Sequence, residues 1–377
     1  MASYIRAMII GIVLDQYDTV HNGIVTSARR FVENFRALGH TVRILTTGEP
    51  GKDKFILPVK TIPMVSYFGD KQGMIFAKKR RKVIEQFLDG LDVVHFYLAS
   101  PVSRPVEKLA RKKGIKCIAA FHTQAENFTY LVKLGHSELA SDVFYKFLYK
   151  YFFKRFRDIH CPTKFIAKEL LKHGYKAHMH VISNGVDEVF VPGKAVEHEH
   201  IRILMIGRLA PEKRQDLIID AAKNSKYAEE IQLVFAGKGP MLEKYKRLAK
   251  GLAHEPSFGF YSTEALLQLI RSCDLYVHAS DAEIEAIACM EAFSCGLVPI
   301  ISDSPKSATP HFALDKRSLF EPGNALDLAK KIDYWIEHPK ERKKMGKLYA
   351  EEGDEYRVSN SVKKMLKLYK ALKPGRR

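Results

Sequence analysis

The chain is poor in the features that define several protein classes. It has five cysteines in 377 residues, Cys117, Cys161, Cys273, Cys289 and Cys295, and no two form a close C-x-x-C pair. That pattern excludes a disulfide scaffold and a zinc-ligand spacing, and it points to free thiols in a reducing compartment. No apolar stretch is long enough to span a bilayer. The run "AMIIGIVL" after Arg6 is short, ends at Asp15 and has no small-residue cleavage site. It is expected to form a first buried strand rather than a signal peptide. Internal repeats and low-complexity segments are absent. Acidic residues are scarce beside basic ones, 43 Asp+Glu against 61 Lys+Arg, for a net charge of +18. Such an excess favours anionic partners: nucleotides, phosphates, nucleic acid or acidic lipid surfaces.

What is present is a rhythm. Short apolar runs at 8–14, 41–47, 92–98, 115–122 and 159–163 alternate with longer amphipathic stretches such as "IVTSARRFVENFRALG" at 24–39. Gly39 and Gly114 stand where helix C-caps are expected, just before strands. The rhythm restarts with strand-like runs at 201–207, 231–237, 274–280 and 297–302. Between the halves lies "SNGVDEVFVPGKAVEHEH" (183–200), rich in turn-forming and charged residues. The pattern predicts two α/β domains, each a doubly wound, largely parallel sheet, at 1–185 and 186–357. A final amphipathic helix is expected in 358–377, packing back toward the N-terminal domain. Ligands of such sheets sit beyond the carboxyl ends of the strands, so the residues just after each strand are the ones to weigh.

Three stretches there carry chemistry. "IGRLAPEKR" (206–214) follows the first strand of the second half. Gly207 allows close backbone approach, while Arg208 offers a planar fork and Lys213 a mobile point charge to a diphosphate. A solvated basic turn explains that stretch alone equally well. "AGKGP" (236–240) contains Gly237 and Gly239, but the full G-x-G-x-x-G fingerprint is missing. An ordinary βα turn accounts for it nearly as well. "VHASDAEIEAIACMEAFSCG" (277–296) is small and apolar yet carries Glu283, Glu285 and Glu291. Burying those charges is costly unless something pairs with them. Either they face solvent at an acidic helix start, or they await a hydroxyl-rich ligand beside a helix N-terminus that attracts an anion.

The ordered set resembles the retaining glycosyltransferases of family GT4. Glu283 and Glu291 with "EAFSCGLVPII" match the family's E-x7-E signature, and Gly23, "FHTQ" with His122, "SNGVD", "GRLAPEKR", "AGKGP" and "FGF" (258–260) occur in its order. The stretches "FHTQAEN", "HASDAEIEA" and "SATPHFAL" are most similar to the diacylglycerol glucosyltransferase-like group. The resemblance implies a GT-B fold, two Rossmann-like domains facing a central cleft. It implies that Arg208, Lys213, Glu283 and His122 serve the transfer. Arg208 and Lys213 would neutralise the donor diphosphate, Glu283 would hold sugar hydroxyls, and His122 would contact the sugar from the first domain. Gly23, Gly207, Gly237, Gly239, Phe258, the amides of Ala286 and Ile287, and Glu291 on the ribose would complete the donor site. The chain departs from the family in having one glycine in "VHNGIV", "EIEA" in place of E-x-F-G, and "SDSPKSATPHF" (302–312) in place of a glycine-rich loop. No D-x-D occurs, so neither a cofactor nor an obligatory metal is expected. Cationic side chains and helix amides can stabilise the leaving diphosphate instead. His95 is as well placed as His122 by position, and only the resemblance favours His122.

The acceptor side offers "SDVFYKFLYKYFFKRFRDIH" (141–160), with eight aromatic residues among Lys and Arg, and "AKKRRK" (77–82). A helix of this kind suits an anionic membrane surface. The expected contacts are Phe144, Tyr145, Lys146, Tyr149, Lys150, Phe153, Lys154 and Arg155. A core helix with snorkelling basic stems is the competing reading. The expected activity is thus transfer of a hexose, glucose from a UDP donor, to a membrane lipid such as diacylglycerol, by a peripheral protein on the cytoplasmic membrane face. The alternatives are a soluble or polysaccharide acceptor, and a sugar-nucleotide epimerase on the same fold. Nucleic acid is not an expected partner, since no binding motif accompanies the charge.

Overall fold

The computed structural model describes residues 7–18, 23–60, 75–124, 137–194 and 196–374. Parts of the first-loop motif (19–22) and of "FHTQAEN" (125–127), residue 195 of the expected linker, Arg6 and the last three residues lie outside the described residues. Two compact units emerge, one from residues up to Asn184 together with those from Val358 onward, the other from Gly185 to Arg357.

In the first unit the order is β1 (Ile9–Val13), α1 (Gly23–Ala37), β2 (Thr41–Thr46), β3 (Lys54–Ile56), α2 (Arg81–Phe87), β4 (Val93–Phe96) and α3 (Ser103–Lys112). It continues with β5 (Lys116–Ala120), α4 (Glu138–Tyr151), β6 (Asp158–Cys161), α5 (Lys164–Lys172) and β7 (His178–Val181). The strands form one sheet in the order β3-β2-β1-β4-β5-β6-β7, and every described pairing is parallel. Helix α1 buries Val25, Ala28, Phe31, Val32 and Phe35, a stripe at three- and four-residue spacing. It ends at Gly39, whose φ of +82° a side chain would resist, and Gly114 does the same for α3 at +71°.

The second unit contains β8 (Ile201–Ile206), α6 (Gln215–Asn224), β9 (Ile231–Ala236), α7 (Leu242–Leu248), β10 (Ser257–Gly259), α8 (Thr263–Arg271) and β11 (Leu275–His278). After these come α9 (Ile287–Ser294), β12 (Val298–Ser302), β13 (Leu319–Phe320), α10 (Ala325–Glu337) and α11 (Pro339–Glu355). Its sheet runs β10-β9-β8-β11-β12-β13, again parallel throughout. Both sheets reverse their winding once, between β1 and β4 and between β8 and β11. That reversal opens a crevice beyond the strand ends where ligands of such sheets bind. Strands buried on both faces explain the continuous apolar runs of the sequence.

The last helix, α12 (Val358–Ala371), returns to the first unit. Val358, Val362, Met365, Leu366 and Tyr369 join the core that holds Ile10, Ile12, Phe31 and Phe35. The Tyr369 and Phe35 rings lie 5.7 Å apart.

Candidate functional site

The switch point of the second sheet gathers the motif residues. The chain leaves β8 through Gly207 and Arg208, makes a 3-10 turn at Pro211–Lys213, passes Arg214 in the left-handed region (φ 54°, ψ 41°) and starts α6. The next loop, after β9, presses directly against it. A Cβ on Gly237 would fall 1.9 Å from the Gly207 carbonyl oxygen, and one on Gly239 would fall 2.2 Å from that of Leu209. Only glycine permits those approaches. The Gly237 amide donates to the Gly259 carbonyl at 2.7 Å, and the Leu209 amide to that of Lys238 at 3.0 Å. The Gly-x-Gly of this chain therefore has a packing reason: it locks three loops together and fixes where Arg208 and Lys213 begin. Phe258, on β10, stacks on Phe235 at 5.1 Å.

Both cations are held by carboxylates. Arg208 Nη2 donates to Glu212 Oε1 at 2.7 Å, and Lys213 Nζ donates to Glu283 Oε1. His278 Nε2 lies 3.1 Å from the same Glu283 oxygen. The other oxygen, Oε2, has no partner among the described residues. Burial alone would raise the Glu283 carboxyl pKa, but the Lys213 charge and the His278 hydrogen bond outweigh it and hold the group well below the carboxylate range. Glu283 is thus an ionised, oriented, nearly buried acceptor with one oxygen to spare. Its backbone is pinned too, since the Ala308 amide donates to the Glu283 carbonyl at 2.9 Å. The segment that replaces the family's glycine-rich loop is what makes this contact.

Three residues on, Ala286 occupies the left-handed region at φ 57°, ψ 63° and N-caps α9 without a side-chain hydrogen bond. The first amides of α9, beginning with Ile287, have no partner within the helix and carry its positive end. Glu283, Glu285 and Glu291 are all buried. A solvent-facing acidic helix start is therefore overturned, because none of the three side chains is exposed.

In the first unit His122 follows β5 and is buried, its ring stacked on Tyr97 at 5.4 Å. It does not stand alone. His160 lies 5.7 Å from it edge-on, and His95, the rival by position, lies 5.4 Å from His160 and 4.6 Å from Tyr97. His95 Nδ1 meets the Tyr369 hydroxyl at 2.7 Å, and His160 Nε2 the Ile182 carbonyl at 2.7 Å. Burial lowers the pKa of His122 to about 3 and of His160 to about 4, and pulls His95 down as well. All three rings are neutral, which suits His122 to positioning and not to carrying a proton. Gly23 opens α1 in an exposed position where a Cβ would meet no atom of the described residues within 4 Å. Its glycine has no packing reason of the kind found at Gly237.

Two expected membrane contacts are corrected. Tyr145 is buried between Phe121 and His173, at 5.9 and 4.3 Å, and Phe153 is buried against Phe121 at 5.0 Å. The run at 141–160 is also not one helix: α4 ends at Tyr151, a 3-10 turn spans Phe153–Arg155, and β6 begins at Asp158. Phe144 and Tyr149 are half-buried, and the Tyr149 ring rests on Tyr175 at 4.8 Å. Arg155 is half-buried, donating to the Tyr151 carbonyl at 2.8 Å, while Lys146, Lys150 and Lys154 are exposed. The apolar residues that α4 does expose, Leu139, Val143 and Phe147, were not among those expected. Their spacing of four was the available signal. Tyr276, His278 and Glu212 were also missed.

A family model described as Glycosyltransferase Family 4 matches residues 21–190, and one described as Glycosyl transferases group 1 matches residues 187–351. The chain is 22% identical over 320 residues to an alpha-monoglucosyldiacylglycerol synthase of Streptococcus pneumoniae, covering 79% of this chain and 72% of that one. It is 26% identical over 313 residues to a GDP-mannose-dependent alpha-mannosyltransferase of Mycolicibacterium smegmatis, covering 78% and 79%. The fold is that of the sucrose-phosphate synthase of Thermosynechococcus elongatus, with TM-score 0.76, 16% identity, and coverage of 96% and 98%.

Proposed function

The chain belongs to the GT4-type glycosyltransferases, and on that premise we propose that it moves glucose from UDP-glucose to a diacylglycerol-type membrane lipid with retention of configuration. The observation that carries this reading is Glu283: an ionised carboxylate at the switch point, fixed at one oxygen by Lys213 and His278 and unpartnered at the other among the described residues. A sugar hydroxyl is the ligand such an oxygen accepts from. Lys213 and Arg208 then turn to the diphosphate, whose leaving charge they and the first α9 amides stabilise. The anomeric carbon–phosphate oxygen bond breaks, the acceptor hydroxyl attacks from the same face, and its proton passes to the departing phosphate oxygen. Glu291 takes the ribose hydroxyls. No side chain is required as a covalent nucleophile, and no metal is needed.

The acceptor assignment draws on the name of the pneumococcal relative and on α4. Exposed Leu139, Val143 and Phe147 lie on one helix face, with Lys146, Lys150 and Lys154 exposed nearby. Among the described residues no helix is long and apolar enough to cross a membrane, so contact would be peripheral. The mannosyltransferase relative supports a second donor, GDP-mannose.

The reading is tested by following transfer from UDP-glucose to diacylglycerol liposomes. Glu291→Ala is expected to raise the donor KM about tenfold or more, since hydrogen bonds to a charged group are lost. Glu283→Ala is expected to cut kcat about 100-fold and to relax sugar preference. Wild-type kinetics for both variants would remove the site assignment.

A further inference from the structure

Strand β11 reads Leu-Tyr-Val-His, so Tyr276 and His278 lie on one face of the strand. Both are buried, and a buried imidazole is costly unless its nitrogens are bonded. Here both are used: Nδ1 lies 3.0 Å from the Tyr276 hydroxyl, and Nε2 lies 3.1 Å from Glu283 Oε1. A carboxylate only accepts, so the hydrogen sits on Nε2. In that tautomer Nδ1 is bare, and the Tyr276 hydroxyl donates to it. Each hydrogen in the chain Tyr276–His278–Glu283 has one direction.

We propose that His278 and Tyr276 are positioning residues for the transfer reaction, holding Glu283 by Oε1 so that Oε2 meets the donor hydroxyl. This rests on the reading that Glu283 binds the sugar. Lys213 grips the same oxygen in the donor-free protein, and that reading sends Lys213 to the diphosphate. Once it leaves, His278 is the one donor that remains on Oε1 among the described residues. Without His278 the carboxylate would follow the lysine or stay buried and unpaired. Tyr276 fixes the tautomer that lets His278 donate.

The test combines spectroscopy with kinetics. Nitrogen-15 spectra of the histidine-labelled wild-type protein are expected to show His278 as the Nε2–H tautomer; an Nδ1–H tautomer would overturn the proposal. In the liposome transfer assay, His278→Leu is expected to lower kcat about 10- to 100-fold. Its donor KM should stay within about threefold, because the diphosphate and ribose contacts that hold the donor do not pass through His278. His278→Gln, whose amide hydrogen can donate to Oε1, is expected to recover most of the loss. Tyr276→Phe, which deletes one oxygen and leaves the ring packed, is expected to reduce kcat about threefold to tenfold, the worth of a neutral hydrogen bond. If Glu283→Ala is slow while the His278 and Tyr276 variants keep wild-type kcat, the positioning role is wrong and the sugar reading stands. If Glu283→Ala itself keeps wild-type kcat, the sugar reading falls and takes the proposal with it.

Discussion

At the scale of the residue, Lys213 and Arg208 carry the same charge five positions apart but sit in different surroundings. Lys213 neutralises a nearly buried carboxylate, whereas the Arg208 side chain is 41% exposed. Lys213→Ala strands Glu283 with one hydrogen-bond donor, and a broken buried pair costs about 3 kcal/mol. Arg208→Ala costs about 1 kcal/mol once solvent screening is counted. Both should slow transfer by about 100-fold if they stabilise the diphosphate. Urea unfolding run beside the kinetics separates the two effects. Equal stability losses would show that burial of the pair does not matter; normal rates would remove the diphosphate role. Ala286 offers a prediction of opposite sign. It holds a left-handed backbone where the family pattern has glycine, and a Cβ there costs about 1 kcal/mol. Ala286→Gly should raise the unfolding free energy by about that amount, and a loss would show that the methyl packs usefully.

At the scale of the element, α4 shows where sequence reading reached its limit. Leu139, Val143 and Phe147 face outward, while Ser141, Tyr145 and Leu148 face the core. Replacing all three outward residues with Ser should weaken sedimentation with anionic liposomes at low salt by about tenfold, from the lost apolar burial. The unfolding midpoint should hold, since none of the three packs inside. Tyr145→Ala should instead destabilise the protein by about 3 kcal/mol or more, as large core aromatics do. Equal liposome binding by wild type and triple variant would rule this face out. Among the described residues, the nine inner strands were legible because parallel strands buried on both faces leave unbroken apolar runs, and "MIIGIVL" and "IRILMIG" carry no other pattern; the four edge strands β3, β7, β10 and β13 were not, being short and only partly buried. Glu283 and Glu291 were legible as a pair only through their company in the chain. The aromatic run was not legible residue by residue. Its rings are shared between a helix face, a 3-10 turn and the packing around Phe121 and Tyr175, and spacing alone does not say which rings find partners. The Tyr276–His278 pair was hidden for a related reason: in a strand buried on both faces, alternation marks no inside and outside.

At the scale of the whole molecule, the neutral histidines make stability depend on pH. His95, His122 and His160 have folded pKa values below that of the unfolded chain, so the unfolded chain binds more protons below pH 6.5. Their contribution is complete above about pH 6.5 and is lost as pH falls toward 4. Asp15 works against them. Burial raises its pKa to about 6, so its contribution is present at low pH and lost between about 3.8 and 6 as pH rises. Three histidines outweigh one aspartate, and the net loss between pH 6.5 and 5.5 should be about 2 kcal/mol. Denaturant titrations at pH 7.5, 6.5 and 5.5 check this. His160→Gln should remove about 1 kcal/mol of that loss, nearly half of it, and a flat profile would contradict the neutral cluster. The claim that joins these scales is that the Glu283 switch-point site serves hexose transfer to lipid. It is tested most directly by mass spectrometry of the products formed from UDP- and GDP-hexoses with diacylglycerol liposomes. A diacylglycerol heavier by one hexose should form from UDP-glucose, and in Glu283→Ala its formation and donor consumption should both fall about 100-fold. Donor consumption with the lipid unchanged, or hexosyl lipid formed at the wild-type rate by Glu283→Ala, would contradict it.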